Sequence, residues 1–301
     1  MAAIRKHLTY IVHGGRADLP ELRQMVAWVR ERGHATDVRI TWNAGDGEML
    51  AADAADRGTD VVIACGGDGT LNEVVNGLDG RDIPLGVVPL GTANDFARQT
   101  GIPEDADHAM DVILRRKPVR IDTASMNGRR FLNVSTGGVG AEATAETPAD
   151  FKASLGPLAY AITAIRKLAG EQSRHASFQS AGFELDTDFL AFAVGSARVT
   201  GGGTMMTPDA SVTDGLVDLC VIEAMSRRDF AKLSLRVKEG EHVGLPGVHY
   251  AQLPWLKVAS AEPLMVNLDG ESVEAQTCDY RARRGDLLVH VQHLPGEDGD
   301  A

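Results

Sequence analysis

Apolar residues in the first third of this 301-residue chain are grouped in two ways. Short continuous runs, His7–His13, Val61–Cys65 and Leu85–Pro89, have the length of strands, and Val38, Ile40 and Trp42 alternate as a further one. Between them apolar residues recur at helical spacing. Leu19, Leu22, Val26 and Val29 mark a helix over Asp18–Arg32 that Gly33 stops. Gly47–Arg57 is alanine-rich, Leu71, Val74, Val75 and Leu78 share one face, and Glu104–Arg116 closes the series. Continuous apolar runs suit strands buried on both faces, and strands that alternate with helices predict a doubly wound parallel sheet.

The pattern changes between residues 121 and 125. Val119–Ser125 and Arg130–Val134 flank Asn127-Gly128, a strong hairpin signal. Short alternating segments then dominate: Ala176–Glu184, Asp188–Val194, Leu216–Ile222, Trp255–Val258, Leu264–Leu268 and Asp286–Val291. Helices over Phe151–Ala169 and Ser226–Lys238 interrupt them. The fold class predicted is therefore α/β followed by β. An α/β domain spans 1–122 and a mainly antiparallel β domain 123–301, with room for the last residues to pack back on the first domain. The polar tail from Pro295 is expected to fray.

Composition narrows the function classes. The hydrophobic share of 44% and charged share of 24% are those of a soluble globular protein. A formal net charge of −12 argues against nucleic acid as a partner. It also argues against strong electrostatic attachment to an anionic membrane, although Arg115-Arg116-Lys117, Arg129-Arg130, and Arg281 with Arg283-Arg284 form short basic clusters. Cys65, Cys220 and Cys278 are widely spaced and odd in number, which suits reduced thiols in a cytoplasmic protein. No run approaches the ~20 apolar residues that span a bilayer. Phe151–Ala169 carries Leu155, Leu158, Ile162, Ile165 and Leu168 on one face, and is expected to pack on the β domain in preference to lipid. The histidines His175, His242, His249, His290 and His293 lack ligand spacing.

The candidate chemistry begins at Gly66-Gly67-Asp68-Gly69-Thr70-Leu71-Asn72-Glu73, directly after the Val61–Cys65 strand. Glycines let a phosphate approach the main chain, and the following helix presents unpaired N–H groups and the positive end of its dipole. Thr70 and Glu73 have the spacing of a capping box. A second loop, Gly91-Thr92-Ala93-Asn94-Asp95, follows the next strand, with Thr92 and Asp95 spaced as a second cap. Thr41 ends the strand before both. In open α/β sheets ligands bind beyond the carboxyl ends of the strands. Neither a P-loop lysine motif nor an intact G-x-G-x-x-G is present.

Gly66–Thr70 with Asn72-Glu73, Pro89-Leu90-Gly91-Thr92-Ala93-Asn94-Asp95-Phe96 and Leu268-Asp269-Gly270-Glu271 together resemble the diacylglycerol kinase catalytic superfamily, its bacterial YegS-like lipid kinases above all. Thr41-Trp42, Glu146-Thr147-Pro148 and Asp214-Gly215-Leu216 extend the resemblance along nearly the whole chain. The GGDGT element alone is shared with NAD kinases, and its combination with GTANDF and the late DGE is the specific signal. The resemblance implies a phosphofructokinase- or NAD-kinase-like α/β domain, a β-sandwich, and ATP in the cleft between them. It puts Thr41, Gly67, Asp68, Gly69, Thr70, Leu71, Asn72, Glu73 and Thr92 on ATP. It also puts magnesium, or calcium in its stead, on Ser211, Asp214 and Leu216, makes Glu271 the proton acceptor and sets Asp269 beside it. Asp68 is a further candidate for contact with the ATP-bound metal.

The activity implied is transfer of the ATP γ-phosphate to a hydroxyl of a membrane lipid, phosphatidylglycerol- or diacylglycerol-like. It would be carried out from the cytoplasm with transient membrane contact and no obligate protein partner. Glu271 is a suitable base for that hydroxyl, although Asp269-Gly270 also reads as a plain hairpin turn. A soluble NAD kinase and a non-catalytic nucleotide- or lipid-binding regulator are the rival readings. Two departures from the superfamily pattern stand out. His13-Gly14-Gly15 replaces the usual Asn-Pro turn, and Gly195-Ser196-Ala197 replaces Gly-Asn-Gly ahead of Gly201-Gly202-Gly203.

Overall fold

β1 (His7–His13) is the centre of a parallel sheet, paired with β2 (Ala35–Thr41) on one side and β3 (Val61–Gly66) on the other. β3 pairs in parallel with β4 (Leu85–Pro89). The computed structural model of the chain describes residues 5–138 and 173–294. The expected helix Phe151–Ala169, the Glu146-Thr147-Pro148 element and the tail from Pro295 lie outside the described residues. Every residue of β3 and β4 is buried, as continuous apolar runs require. α1 (Pro20–Glu31) packs with α5 (Ala106–Arg115), and α2 (Asp46–Asp56) with α3 (Asp68–Gly77). α4 (Asp95–Gln99) is a single short turn before α5.

On α3, Leu71, Val74, Val75 and Leu78 are all at most 4% exposed, so the predicted apolar stripe is the buried one. Each such side chain stabilises by about 1.5–3 kcal/mol. α2 crosses so near α3 that a Cβ on Gly77 would stand 2.2 Å from the Glu48 carbonyl oxygen.

Contacts divide the chain into two compact units, Met1–Ile121 with Gly285–Ala301, and Asp122–Arg284. The second unit is antiparallel. β5 (Val119–Met126) turns through Asn127 and Gly128, at φ 49 and 89, into β6 (Arg129–Phe131). Both turn residues are left-handed, the type I′ geometry their sequence predicts. The other strands are β7 (Val134–Gly138), β8 (Arg174–Ser180), β9 (Phe183–Gly195), β10 (Val217–Glu223), β11 (Val248–Leu253), β12 (Trp255–Leu268) and β13 (Glu271–Val289). They run in the order β11-β10-β9-β7-β12-β13, with β8 paired to both β9 and β12. α6 (Arg227–Glu239) follows β10.

Phe178, Phe189 and Phe192 form the centre of this core, each pair edge-on at 5.6 Å between ring centroids. A second cluster lies under α6, where Phe230, Leu233 and Val237 cover Leu190, Ala193, Cys220 and Ile222.

Several expected boundaries move. Ala176–Glu184 is broken by a turn at Ala181-Gly182, Arg130–Val134 is split between β6 and β7, and β11 has no counterpart among the expected strands. Trp255–Val258 and Leu264–Leu268 belong to one strand whose pairing with β13 shifts register between Ala259 and Leu264. All three cysteines are buried free thiols, and burial pushes Cys220 up to about 12 and Cys278 up to about 11. Among the described residues no helix is long and apolar enough to cross a membrane.

Candidate active site

Beyond the carboxyl ends of β1 and β2 and beside the first turns of α3 lies a recess of about 510 Å³, lined by His13, Gly14, Gly15, Thr41, Trp42, Asn43, Ala44, Gly69, Thr70 and Glu73. Its floor is tightly built. A Cβ on Gly14 would stand 2.4 Å from the Thr41 carbonyl oxygen, so only glycine lets the chain leaving β1 pass the end of β2. His13 Nδ1 accepts the Gly15 N–H at 3.2 Å. The Asp46 carboxylate accepts the N–H groups of Trp42 (2.7 Å) and Asn43 (2.8 Å), and these bonds hold its carboxyl below the usual range. The side chain of Trp42 is 79% exposed at the recess, on a main chain pinned in this way.

Acidic residues of the glycine loops fasten neighbouring helices. Glu73 accepts the N–H groups of Gly45 (3.0 Å) and Gly47 (2.8 Å), the start of α2. Asp68 Oδ1 accepts the Phe96 N–H of α4 at 3.3 Å. The expected capping boxes are thereby corrected. α3 starts from Gly67 with no side-chain cap, so Thr70 stands within its first turn and Glu73 serves α2 instead. α4 starts from Asn94 at φ 49, and Asn94 Oδ1 accepts the Gly91 N–H at 3.0 Å, leaving Thr92 exposed and outside that cap.

The two loops touch main chain to main chain. A Cβ on Gly91 would stand 2.4 Å from the Gly67 Cα, and Leu90 N–H donates to the Gly66 carbonyl at 2.8 Å. At Gly69 nothing lies within 4 Å of a Cβ position, so the uncapped first turn of α3 is open to an anion. Leu71 and Asn72 turn inward, at 4% and 1% exposure, and Asn72 Oδ1 accepts from Asn76 at 3.0 Å. Thr41, Gly69, Thr70 and Glu73 thus share the recess. Gly67, Asp68 and Leu71 line a smaller dimple with Pro89 and Asn94.

In the second unit, Asp269-Gly270 is the turn of the β12–β13 hairpin, at φ 45 and 103. It is also more than a turn. The buried Asp269 carboxylate accepts three consecutive main-chain donors, Leu132 (2.6 Å), Asn133 (3.0 Å) and Val134 (3.3 Å), and so fastens the β6–β7 connection. Glu271 opens β13 and is held by Arg129 through two parallel bonds, Nε to Oε2 at 2.8 Å and Nη2 to Oε1 at 3.0 Å. Such a fork fixes both carboxylate oxygens in one plane. Sequence alone showed Arg129 only as half of a basic pair. No spacing signal joins it to a residue 142 positions away.

The loop Ser211–Leu216 is a braced turn. Ser211 Oγ lies 3.1 Å from Thr213 Oγ1, Asp214 Oδ1 accepts the Leu216 N–H at 2.9 Å, and Asp122 Oδ2 accepts the Gly215 N–H at 2.6 Å. Asp218, fully buried on the adjoining strand, is pushed up to about 6 by burial. Tyr250 and Gln252 oppose that shift, and Asp214 and Asp209 add to it. Among the described residues no three His, Cys, Asp or Glu side chains group as a metal cage. What the loop offers a hard cation is one exposed carboxylate and main-chain carbonyls, an incomplete set that water would have to fill.

Comparison with known proteins sets these loops in a family. Residues 7–126 match the diacylglycerol kinase catalytic domain, and 133–290 match the YegS C-terminal NAD kinase beta sandwich-like domain. The chain is 37% identical over 283 residues to a probable lipid kinase YegS-like of Pseudomonas putida, covering 93% of this chain and 94% of that one. It is 39% identical over 296 residues to the protein of the same description from Xanthomonas campestris pv. campestris, covering 95% and 96%. A solved diacylglycerol kinase from Bacillus anthracis str. Sterne superposes with a TM-score of 0.76 at 22% identity, over 95% of this chain and 97% of that one, which shows a shared fold.

Proposed function

The chain belongs to the diacylglycerol kinase catalytic family as a lipid kinase of the YegS-like kind, and from that premise we propose how its residues carry the reaction. ATP is the phosphoryl donor and a lipid hydroxyl the acceptor, on a phosphatidylglycerol- or diacylglycerol-like molecule. The observation that carries this reading is the contact of Gly67 with Gly91 at the uncapped start of α3, beside a recess ending at Thr41. Phosphate oxygens take the N–H groups of the first α3 turn, with the Thr70 hydroxyl beside them, where the helix dipole favours negative charge. Asp68 and Glu73 act indirectly, by fastening α4 and α2 around those phosphates.

Glu271 accepts the proton of the attacking hydroxyl. The lipid oxygen forms the new bond to the γ-phosphorus, the bond to the β-phosphate oxygen breaks, ADP leaves, and the proton remains on Glu271. Arg129 holds that carboxylate in one orientation, and Asp269 fastens the β6–β7 loop behind it. A magnesium ion carried with ATP would supply neutralisation of the phosphate charge. Asp214 with the carbonyls of Ser211 and Leu216 is the set that would hold a further ion, in keeping with the preference of a hard cation for oxygen. Three buried free thiols support a reducing, cytoplasmic setting.

The deciding experiment incubates the protein with γ-labelled ATP, magnesium and a total lipid extract, with NAD in a parallel tube. Label is expected in lipid and absent from NADP. Glu271→Gln should lower the rate by about 10²–10⁴-fold, the usual worth of a general base, with the thermal transition unchanged. Undiminished transfer by the folded Glu271→Gln protein would remove Glu271 from the chemistry.

A further inference from the structure

A protein of net charge −12 that works on membrane lipid needs a local device to approach a negatively charged bilayer. One helix has the opposite sign from the chain as a whole. Between Arg227 and Glu239, α6 carries five basic residues against two acidic ones. Its buried side is Phe230, Leu233, Ser234 and Val237. Opposite them, at helical spacing, stand Arg228, Lys232, Leu235 and Glu239, with Arg236 and Lys238 on the flanks. Leu235 is 66% exposed in the middle of this basic face.

The apolar character continues past the end of the helix. Met205 packs on the Gly240 cap, where a Cβ would stand 3.3 Å from its own Cβ. His242 Nε2 bonds to the Met206 carbonyl at 3.1 Å, which brings Val243 alongside. Met205, Leu235 and Val243 are three of the six large hydrophobic residues exposed among the described residues. Lys232 pairs with Asp229 and Arg236 with Glu241, but such exposed pairs are weak and leave the cationic head groups at the surface.

We propose that the outer face of α6, with Met205 and Val243 at its end, docks this kinase on anionic lipid bilayers. Arg228, Lys232, Arg236 and Lys238 meet lipid phosphates while their methylene stems and Leu235 enter the headgroup boundary. Exposed basic residues around a protruding leucine complement a surface that is negative outside and apolar beneath. This surface goes beyond the kinase reading and rests on it only for the need to reach a bilayer.

The test is sedimentation of the whole protein with phosphatidylcholine vesicles and with equimolar phosphatidylcholine–phosphatidylglycerol vesicles over a range of salt. Binding to the anionic vesicles alone, weakening with salt, is expected. Arg228→Glu with Lys232→Glu should weaken it at least about tenfold, at roughly 1 kcal/mol for each basic residue near the surface. Leu235→Ser should weaken it severalfold at every salt concentration. Arg115→Glu with Lys117→Glu, an equal change of net charge on the other unit, should stay within about twofold of the parent protein. The α6 variants point outward and should keep the parent's melting temperature and its lipid phosphorylation in uncharged detergent micelles. Absence of anionic-vesicle binding, binding indifferent to the α6 changes, or equal loss in the Arg115 and Lys117 pair would each overturn the proposal. Absence of lipid phosphorylation in micelles by the parent protein would instead count against the kinase reading, and leave the sedimentation result to judge α6 by itself.

Discussion

The Asp269 carboxylate meets three successive main-chain N–H groups, and its residue sits at φ 45, where aspartate is tolerated better than most side chains. In Asp269→Asn one oxygen becomes an amide that repels one of those donors and leaves it buried and unpaired. The expected cost is about 1.5–3 kcal/mol of stability, the range for a hydrogen bond to a charged group, read as a fall in the urea midpoint. Phosphorylation should fall with it, because the β6–β7 connection loses its anchor. The residue type was legible in the sequence and its task was not. A DGE motif marks two carboxylates, whereas only the fold shows one of them turned to main chain and the other to Arg129. Glu73 is the same case: three residues after Thr70 it has the spacing of a cap for its own helix, yet it caps the neighbouring one.

Among the elements, the pair of glycine loops was the most legible. Strand, glycine and apolar stripe all announced β3 and α3, and the second loop repeated the first after β4. That Gly67 and Gly91 touch was not legible, because contact between main chains leaves no side-chain pattern to read. Gly91→Ala would bring a Cβ to 2.4 Å from the Gly67 Cα, main chain that cannot swing aside. The loops must part, at about 1–3 kcal/mol for overpacking. ATP affinity, measured by titration calorimetry, should drop at least about tenfold, since separated loops no longer present the α3 turn in one geometry. The long strands β9, β12 and β13 were the least legible elements. Their outer stretches do alternate, with Phe183, Leu185, Val273 and Ala275 against the core and Glu184, Asp186, Ser272 and Glu274 exposed, but single apolar residues set between polar ones do not show how far each strand runs.

At the scale of the molecule, the chain end returns to the first unit. Val289 pairs in parallel with Leu85, and the next residue, His290, donates its N–H to the Leu85 carbonyl at 2.9 Å. The His290 imidazole is buried there with Nδ1 on the Arg116 carbonyl at 2.9 Å. Burial, helped by Lys6 and opposed by the Arg116 carbonyl, pushes it down to about 4. The unfolded chain takes up a proton near pH 6.5 and the folded one does not. This contribution to stability is therefore complete above pH 6.5 and is lost as the pH falls toward 4, by up to about 3 kcal/mol. Urea unfolding from pH 7 to 4.5 should show that decline, and His290→Phe should flatten it. An unchanged slope in the variant would assign acid sensitivity to other groups.

The sequence by itself determined the elements whose signal is local: buried strands as apolar runs, helices as stripes, the Asn127-Gly128 turn, and the glycine loops whose combination marks a lipid kinase of this family. These follow from near-neighbour sterics and periodicity, which a linear pattern records. Only the tertiary structure decided which carboxylate serves which main chain, that Arg129 grips Glu271, that the chain end completes the first unit beside β4, and that Leu235 lies outside on α6. Each of these is a meeting of groups far apart in sequence or a choice of face. Both are settled by packing, where hydrogen bonds and excluded volume act between segments that carry no mark of one another.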